Sequence, residues 1–342
     1  MQLSAAAEPR PPRAAILNQL NIGCLISQAL YVVATLGIAD YLKDGPRTTD
    51  QLAASAGANA SALYRVMRAL ASVGVFTEIQ PRQFAVTELG SCLRSDVPDS
   101  VRALFRMAKW EWAAWGAMLQ VVQTGRTGFR SVYGMDYFEY LQNHPDDAAI
   151  FGEAMTGFVS MNGMAVLAAY DFSNFGKVVD VGGGNGTLMT AILNAYPGMY
   201  GMLFDLPTVI SKAQRRIETA GVAHRCQCIG GDFFHSPLPN GGDAYLLVSI
   251  LHDWEDEPSV QILENCRRAS SAESKLLVIE MIIPSGDAPF FGKLLDLEML
   301  VSLGGRERTL DEYDALLSRA GFAITRVIPT PGPSSIIEAV PH

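Results

Sequence analysis

The spacing of apolar residues changes once along the chain, and the change predicts two kinds of structure. In the first half, apolar residues recur at helical spacing, beginning with a long helix over residues 14–43 that ends at Asp44-Gly45-Pro46. From Gly176 onward, short apolar runs alternate with helix-like stretches, which is typical of a parallel sheet with helices on both faces. The last two runs, residues 322–328 and 334–340, have a short connection and should form an antiparallel hairpin at the sheet edge.

These patterns predict an α/β fold with a helical region before it. The further predicted strands are residues 75–80, 83–86, 177–181, 200–204, 225–229, 244–250 and 275–280, and the further helices of the second half are 188–196, 209–219, 259–269 and 310–320. The predicted divisions are a tail at 1–13, a first domain at 14–105, a helical linker at 106–172 and a catalytic domain at 173–342.

The first domain carries the pattern of a winged helix. A helix capped by Thr48-Thr49-Asp50 runs to Ala56, and Asn59 caps a second helix over residues 61–72. The predicted hairpin at residues 75–86 follows directly. Two short helices followed by a hairpin are typical of DNA-binding domains, in which Arg65 and Arg68 of the second helix would meet the major groove.

The charge distribution argues against nucleic acid. Hydrophobic residues make up 49% of the chain and charged ones 18%, a composition that excludes a disordered chain. The net charge is −9. Residues 1–95 carry eight Lys and Arg against six Asp and Glu, whereas residues 96–342 carry eighteen against twenty-nine. The winged-helix region therefore lacks a basic surface, and a structural or dimerisation role is favoured over DNA binding.

Membrane insertion and disulfides are both disfavoured. Residues 14–39 carry no charge, but Asn18, Gln19 and Asn21 would have to enter hydrocarbon, so a helix buried against protein is the better interpretation. The five cysteines, at positions 24, 92, 226, 228 and 266, form neither a zinc pattern nor an even set. We expect free thiols in a cytoplasmic protein.

A glycine-rich turn follows the first strand of the predicted sheet. Asp180-Val-Gly182-Gly-Gly184-Asn-Gly186 stands between a strand and a helix, where such sheets bind nucleotides. The dinucleotide pattern G-x-G-x-x-G is not met, because Thr187 occupies the last glycine position counted from Gly182. Asp205 ends the next strand at a spacing suited to a ribose diol. A plain tight turn is the alternative.

Five motifs in order give the chain a family resemblance. They are Asp180-Val-Gly-Gly-Gly, Phe204-Asp205-Leu-Pro, Gly231-Asp232-Phe233-Phe234, Leu251-His252-Asp253-Trp254 and Gly304-Gly-Arg-Glu307-Arg-Thr309. With these, the chain resembles class I S-adenosylmethionine-dependent O-methyltransferases of the branch acting on caffeate, flavonoids, acetylserotonin, polyketides and phenazines. The resemblance implies a seven-stranded Rossmann-like methyltransferase sheet, a winged-helix dimerisation domain, a homodimer, an aromatic acceptor and no metal.

The resemblance also implies a cofactor site for S-adenosylmethionine. Its residues would be Asp180, Gly182 and Gly184 at the methionine part, Asp205 and Leu206 at the ribose, Asp232 and Phe233 at the adenine, and Ser249 near the cofactor. Plant relatives commonly have a lysine where this chain has Val248. The alternatives are a cap or turn role for Asp180 and Asp232 and a plain core role for Phe233.

A histidine at the expected active-site edge is the candidate base. His252 ends the apolar strand that includes residues 246–251, and in the resembling family a histidine at this place deprotonates the acceptor hydroxyl. Glu280 and Glu307 match the glutamates that flank it, with a strand-end carboxylate and an arginine ion pair as their alternatives. Asp253 is a candidate acceptor contact, although a solvated acid at a helix start is the simpler interpretation.

The acceptor pocket is predicted from family positions and apolar character. Its candidates are Phe151, Met155, Phe158, Trp112, Met299 and Leu303, the last two from a loop before Gly304. Two rivals stay open: methylation of nitrogen or other cofactor-assisted chemistry on the same scaffold, and a winged-helix regulator that senses a metabolite.

Overall fold

A computed structural model describes residues 12–342, apart from the side chains of residues 158–162. The chain divides into two compact units, one ending at Lys109 and one beginning at Trp110. The helical segment before the sheet therefore belongs to the second unit. The finer division at residues 105 and 172 stays a prediction.

The first unit has the predicted helix-turn-helix and wing. It contains α1 (Arg13–Leu36), α2 (Ile38–Tyr41), β1 (Arg47–Thr48), α3 (Thr49–Ala56), α4 (Ala60–Ala71), β2 (Phe76–Gln80), β3 (Gln83–Val86), α5 (Glu88–Ser91) and α6 (Arg102–Arg106). Thr48 caps α3 in a capping box with Gln51, and the Asn59 side chain accepts from Ala62 N at 3.0 Å to cap α4. The three strands form a small antiparallel sheet in the order β1-β3-β2.

Helix α1 differs from its prediction in two ways. It ends at Leu36 rather than continuing to residue 43, because Gly37 takes a left-handed conformation with φ of 67° and closes the helix. Residues 12–25 are exposed, so the expected burial against protein is not found within one chain. By length and composition alone, α1 is the one helix among the described residues that could span a membrane.

The second unit contains the sheet and the helices that cover it. After α7 (Ala108–Gly116), which begins at the end of the first unit, its helices are α8 (Met118–Thr124), α9 (Gly128–Tyr133), α10 (Tyr137–Asn143), α11 (Pro145–Ala169), α12 (Thr187–Ala195), α13 (Pro207–Thr219), α14 (Asp256–Ala269), α15 (Gly292–Glu298) and α16 (Leu310–Arg319). Its strands are β4 (Lys177–Val181), β5 (Tyr200–Asp205), β6 (Cys226–Gly230), β7 (Ala244–Val248), β8 (Lys275–Glu280), β9 (Phe322–Pro329) and β10 (Ser335–Pro341).

The seven strands follow the order β6-β5-β4-β7-β8-β10-β9. The first five are parallel, and β10 pairs antiparallel with both β8 and β9, so the predicted hairpin is confirmed with β9 as the edge strand. The chain runs outward from β4 in one direction through β5 and β6, and in the other through β7 and β8. Ligands of open α/β sheets bind at the carboxyl ends of strands beside such a reversal point.

The core explains why these strands are nearly continuous apolar runs. Val179 and Leu247 face one set of helices while Val178 and Leu246 face the other, and all four side chains are fully buried. A sheet covered on both faces leaves only its edges and strand ends available for chemistry. The candidate cofactor residues Asp180, Asp205 and Asp232 lie at or just beyond the carboxyl ends of β4, β5 and β6.

Candidate active site

The glycine turn between β4 and α12 has the conformation that its sequence predicts. Gly182, Gly184 and Gly186 have φ values of 73°, 58° and 78°, a region that side chains rarely adopt. A Cβ added at Gly182 would lie 2.5 Å from Ile250 Cδ1, whereas one at Gly184 would meet nothing within 4 Å. The turn is packed at Gly182 and open at Gly184, as expected of a backbone that a ligand approaches.

The Asp180 side chain packs against this turn. Its side chain is buried, and a Cβ on Gly183 would lie 2.7 Å from the carboxyl carbon of Asp180. Atom Oδ1 has no hydrogen-bond partner among the described residues. Burial and the nearby Asp205 raise the pKa of Asp180 to about 7. This carboxyl is held in a position that favours either a proton or a nearby cation.

Asp205 closes the turn from the end of β5. Its Oδ2 accepts from Gly184 N at 2.8 Å and its Oδ1 from Leu206 N at 2.6 Å. Burial raises the pKa of Asp205, and the two N–H donors oppose that rise. Each oxygen retains a lone pair for a further donor such as a hydroxyl.

Asp232 and Phe233 follow β6 at the same edge. The Asp232 carboxylate accepts from Phe234 N and pairs with His235 Nδ1, both at 2.8 Å, and its side chain is 40% exposed. The half-buried Phe233 ring packs on the core and lies edge-on to Trp254, with a ring atom 3.7 Å from the Cβ position of Gly182. Its ring therefore adjoins the glycine turn.

The position of His252 corrects the sequence interpretation. Strand β7 ends at Val248, and His252 lies in a short 3₁₀ turn, Leu251–Asp253, beyond the strand. Ser249 between them has φ of 52°, which breaks the extended backbone that the apolar run predicts. The histidine is thus presented by a turn, although it remains at the predicted edge of the sheet.

Both ring nitrogens of His252 face carboxyl groups. Nδ1 lies 2.7 Å from Glu307 Oε1 in a hydrogen bond and 3.8 Å from Glu280 Oε2. Nε2 lies 3.4 Å from Asp253 Oδ1. The histidine is 8% exposed. The ring is oriented through the hydrogen bond at Nδ1.

These carboxyl groups control the protonation of the imidazole. Burial lowers the pKa of His252, but Glu280, Asp253 and Glu307 outweigh it and raise the pKa to about 10. Burial raises the pKa of Asp253 to about 6 and that of Glu280 to about 7, and the imidazolium opposes both shifts. Asp253 is therefore not the solvated acid that was the simpler interpretation, since its side chain is 17% exposed and lies beside Nε2.

Glu280 holds the backbone that carries the histidine. Its Oε1 accepts from Ile250 N and Leu251 N, each at 2.9 Å, at the entry to the turn. The second oxygens of Glu280 and Glu307 have no hydrogen-bond partner among the described residues. Glu280 is buried and so is not a surface strand-end carboxylate, and the ionic partner of Glu307 is His252, whereas Arg308 pairs with Asp256.

The same three residues could be taken for a metal site, because donor atoms of His252, Glu280 and Glu307 lie within 4.8 Å of one another. Metal bonds of about 2.0 to 2.2 Å at tetrahedral angles would hold neighbouring donors about 3.4 Å apart. The 3.8 Å from Nδ1 to Glu280 exceeds that spacing, and the 2.7 Å contact with Glu307 is a hydrogen bond. The expectation that the chain uses no metal stays a prediction.

The candidate acceptor residues are only partly brought together. Phe151 is half-buried and packs edge-on to Phe138 at 6.3 Å between ring centroids, and Phe138 stacks on Trp254 at 5.8 Å. Met155 and Trp112 are half-buried, and the side chain of Phe158 lies outside the described residues. An aromatic series therefore extends from Trp254, the residue after the turn of His252, to Phe151.

Met299 and Leu303 do not belong to a loop. They lie in a π-helical segment, Met299–Leu303, that continues α15, with Met299 buried and Leu303 half-buried. The π-helical turn continues to Leu303, and Gly304, with a φ of 84°, ends the helix. The sequence interpretation was wrong here because Gly304-Gly305 indicates a loop but does not show at which residue the loop begins.

Sequence reasoning missed two features near this site. Trp115 Nε1 donates to Glu298 Oε2 at 2.6 Å, and burial together with Glu298 raises the pKa of Glu111 to about 8. Arg308, known from sequence only as an ion-pair partner, is fully buried. No spacing signal could have shown the first pair, whose members lie on helices far apart along the chain.

Family comparisons agree with this geometry. The profile of the O-methyltransferase domain matches residues 115–323, and that of the O-methyltransferase dimerisation domain matches residues 18–96. A phenazine O-methyltransferase, PhzM, of Lysobacter antibioticus is 48% identical over 96% of this chain and 97% of the relative. The crystal structure named LaPhzM is 47% identical, with a TM-score of 0.94 over 97% of this chain and all of that one.

Other relatives carry other activities or bound ligands. The crystal structure of NcsB1, an O-methyltransferase from neocarzinostatin biosynthesis, contains S-adenosylmethionine and 2-hydroxy-5-methyl naphthoic acid; its TM-score is 0.82 at 34% identity over 92% of this chain and 96% of that one. An 8-amino-8-demethylriboflavin N,N-dimethyltransferase of Streptomyces davaonensis is 34% identical over 99% of this chain and 98% of the relative.

Fold and site together define a class I S-adenosylmethionine-dependent methyltransferase. The chain belongs to the O-methyltransferase family in which an N-terminal dimerisation domain precedes the catalytic domain. It is therefore an S-adenosylmethionine-dependent O-methyltransferase of the type found in secondary metabolism. This finding favours an enzyme over the metabolite-sensing regulator.

The residues present fit that cofactor. The open side of Gly184, the unpartnered oxygen of Asp180 and the free lone pairs of Asp205 form an acidic cradle, and within residues 12–342 neither carboxylate has a basic partner. A ligand with cationic and hydroxyl groups complements such a cradle, whereas a pyrophosphate would be repelled.

Proposed function

We propose that this O-methyltransferase methylates a hydroxyl on an aromatic small molecule, with His252 as the general base. The observation that carries the proposal is the orientation of the imidazole. Glu307 accepts from Nδ1 at 2.7 Å, so Nε2 is the nitrogen left to take a proton, at the sheet edge that holds the glycine turn. Histidines fixed in this way through one nitrogen act as bases through the other.

The cofactor is proposed to bind along the glycine turn. Its methionine part would lie at Gly182 and Gly184 above Asp180, its ribose at Asp205 and Leu206, and its adenine at Asp232 and Phe233, with Ser249 as a further contact. When bound, S-adenosylmethionine supplies an electrophilic methyl group on a sulfonium. The half-buried Phe233 ring can cover a ring face and still pack on the core.

Three carboxyl groups then serve the proton transfer. As Nε2 takes the hydroxyl proton, Glu307 stabilises the imidazolium through Nδ1, and Glu280 keeps the turn in place through two backbone N–H groups. Because the pKa of His252 is raised, its neutral form is a stronger base than an ordinary imidazole, but a smaller fraction of His252 is neutral at pH 7. Asp253 is placed beside Nε2, where it can accept from an acceptor hydroxyl.

An aromatic acceptor is supported by the side chains around the turn. Phe151, Phe138 and Trp254 form consecutive ring contacts that end beside His252. Flat apolar walls suit a flat ring and exclude water from the transfer. Relatives named as phenazine and naphthoate methyltransferases act on acceptors of this kind. Trp112, Met155, Met299 and Leu303 remain proposed members of the pocket.

We further propose a cytoplasmic homodimer without nucleic acid or membrane as partner. Helix α1 exposes Leu17, Leu20 and Leu25 at 66 to 72%, and part of it falls within the matched dimerisation domain. A second chain would bury this surface. Equilibrium sedimentation at micromolar concentration should show a dimer, and Leu17→Glu with Leu20→Glu should shift it to monomer. A monomeric wild-type protein would contradict this.

The decisive test pairs an acceptor screen with a base variant. Phenolic, polyketide and phenazine acceptors are incubated with S-adenosylmethionine, and mass spectrometry should find the gain of one methylene on an aromatic oxygen. His252→Gln should lower kcat by about 100-fold with the cofactor Kd nearly unchanged. His224→Gln, at an exposed histidine, is the control. Full activity of His252→Gln would reject the base.

Methylation of nitrogen is the second candidate, favoured by the riboflavin-type N,N-dimethyltransferase among the relatives. A neutral amine already offers its lone pair and needs no prior deprotonation. With amine acceptors, His252→Gln should therefore lose much less than 100-fold in kcat. A preference for amines over hydroxyl acceptors of equal size would support this candidate instead.

A further inference from the structure

Arg308 is a buried charge that the chemistry above does not use. It stands next to Glu307, and its side chain is 0% exposed. A guanidinium stays protonated in a protein, so a buried one is stable only when its N–H donors are hydrogen-bonded. The contacts that satisfy it show what this residue does.

The guanidinium bridges the two ends of the histidine turn. NH1 donates to Leu251 O at 2.8 Å, and NH2 donates to Trp254 O at 2.8 Å. These carbonyls lie on either side of His252-Asp253. NH2 also donates to Asp256 Oδ1 at 2.9 Å, and Nε donates to the same oxygen at 3.2 Å. One planar group therefore fixes both ends of the turn and the start of α14.

The turn needs such support because its own backbone is unfavourable. Ser249 enters it with φ of 52°, a conformation that costs free energy for a residue other than glycine. A 3₁₀ turn of three residues supplies few internal hydrogen bonds to compensate. The external bonds come from Glu280 at the entry and from Arg308 at both ends.

The loop that carries Arg308 also touches this turn directly. A Cβ on Gly305 would lie 2.1 Å from His252 O, so only glycine permits the approach. Beyond it, Glu307 N donates to Asp296 Oδ1 at 2.9 Å, and Ile283 N donates to Arg308 O at 2.9 Å. The loop is thus held by the backbone hydrogen bonds of Glu307 and Arg308 and by the Arg308 guanidinium, which bonds the histidine turn.

We propose that Arg308 is a positioning residue for the base, because its guanidinium ties the loop of Glu307 to the turn of His252 and so sets the contact between them. This proposal rests on the proposed role of His252. Lysine cannot replace arginine in this role, since a single ammonium cannot bond two carbonyls at opposite ends of a turn in one plane.

The test compares Arg308→Lys with Arg306→Lys. Arg306 is exposed on the same loop and serves as the matched control. Arg308→Lys should lower kcat by about 10- to 100-fold, with the cofactor Kd within about twofold of wild type, because a misplaced base costs rate rather than binding. Arg306→Lys should change neither. Equal kcat in both variants and wild type would overturn the proposal.

A second measurement separates positioning from general loss of structure. Imidazole titration by nitrogen-15 NMR on cofactor-free protein, with His252 assigned through His252→Gln, reports the contact with Glu307, Glu280 and Asp253 directly. In Arg308→Lys the pKa of His252 should fall from its raised position, while those of the other four histidines stay unchanged. An unchanged His252 titration beside a reduced kcat would mean that Arg308 acts otherwise, and would reject the proposal.

If Arg308→Lys does not fold, Asp256→Asn tests the same positioning role. It removes the charge partner of Arg308 at a half-exposed position, and we expect a kcat about threefold lower with a smaller fall in the pKa of His252. No change in either would overturn the proposal. The titration needs no turnover: if the wild type methylates no hydroxyl acceptor but the His252 titration still shifts, the proposed function fails while the positioning role stands.

Discussion

Two acidic groups lie at the same edge of the sheet, and they are balanced in different ways. On the base side, Glu280 and Glu307 surround His252, which supplies a cation from the protein itself. On the cofactor side, burial raises the pKa of both Asp180 and Asp205, the charge of Asp205 raises that of Asp180 further, and neither carboxylate has a basic partner within residues 12–342. The difference supports the proposal that a bound cofactor completes the second site, whereas the charges of the first are already balanced within the protein.

The comparison also explains where binding free energy arises. Asp180 has one unbonded oxygen, and Asp205 accepts only from backbone N–H groups. Without a cationic partner, two such enclosed carboxylates are unfavourable in the free protein, and a bound cation would lower the cost of ionising them. On the base side the carboxylates already stabilise the imidazolium, so little remains to be gained from a ligand. Changes on the base side should therefore alter rate, and changes on the cofactor side should alter affinity.

Among changes to the carboxyl groups, the largest effect is expected from Glu307→Gln. The amide can still accept from Nδ1, but the charge that stabilises the imidazolium is lost, so kcat should fall by about 10- to 100-fold and the acid limb of the kcat/KM profile should move to lower pH. Steady-state kinetics across pH measure both. Glu264→Gln, at an exposed glutamate, is the control. A change in cofactor Kd without a change in kcat would reverse the comparison.

Asp180→Asn should show the opposite behaviour, weakening the cofactor by about tenfold in Kd while leaving kcat at saturation nearly intact. Isothermal titration calorimetry measures the first. The same substitution should stabilise the fold. Burial raises the pKa of Asp180 from 3.8 to about 7, so the stability contributed by its neutral form is present below pH 3.8 and is lost as the pH rises through 7.

The unfolding temperature of Asp180→Asn should accordingly exceed that of wild type by about 3 °C or more above pH 7, and the difference should vanish toward pH 4. Asp287→Asn serves as the control at an exposed aspartate. A variant less stable than wild type at every pH would show that the carboxylate is needed by the fold rather than tolerated for the ligand.

The cofactor side could be predicted from the sequence far better than the base side. Gly182, Gly184 and Asp205 owe their positions to a strand, a tight turn and the next strand, all local consequences of spacing. His252 was placed on the strand because its apolar run continues to Leu251, and nothing in that run shows that Ser249 takes a positive φ. Backbone strain is imposed by tertiary contacts, which periodicity cannot report.

Burial of charge was the other feature hidden from the sequence. Asp253 and Arg308 stand in polar stretches that indicate solvent, yet both are enclosed because the loop at Gly305 closes on the histidine turn. That approach depends on residues more than fifty positions apart. Motif resemblance made the glutamates and the histidine candidates, but only the packing shows that three carboxyl groups lie around one imidazole.

A smaller effect is expected from Asp253→Asn. Above a pH of about 6, Asp253 is ionised 3.4 Å from Nε2 and helps to keep the imidazole protonated. Without this charge the pKa of His252 should fall, so the acid limb of the kcat/KM profile should move to lower pH by about half a unit to one unit. Asp311→Asn, at an exposed aspartate, should leave the profile in place. An unmoved limb in Asp253→Asn would remove this residue from the base side.

The smallest effect should follow metal removal. If the imidazolium balances Glu280 and Glu307, these carboxylates do not need a metal ion, and dialysis against a chelator should change kcat by less than about twofold. The 3.8 Å from Nδ1 to Glu280 already exceeds the spacing of neighbouring ligands on one zinc ion. The opposite result would be a loss of activity on chelation that a divalent metal restores in wild type but not in Glu280→Gln. It would show that both acidic groups need an external cation.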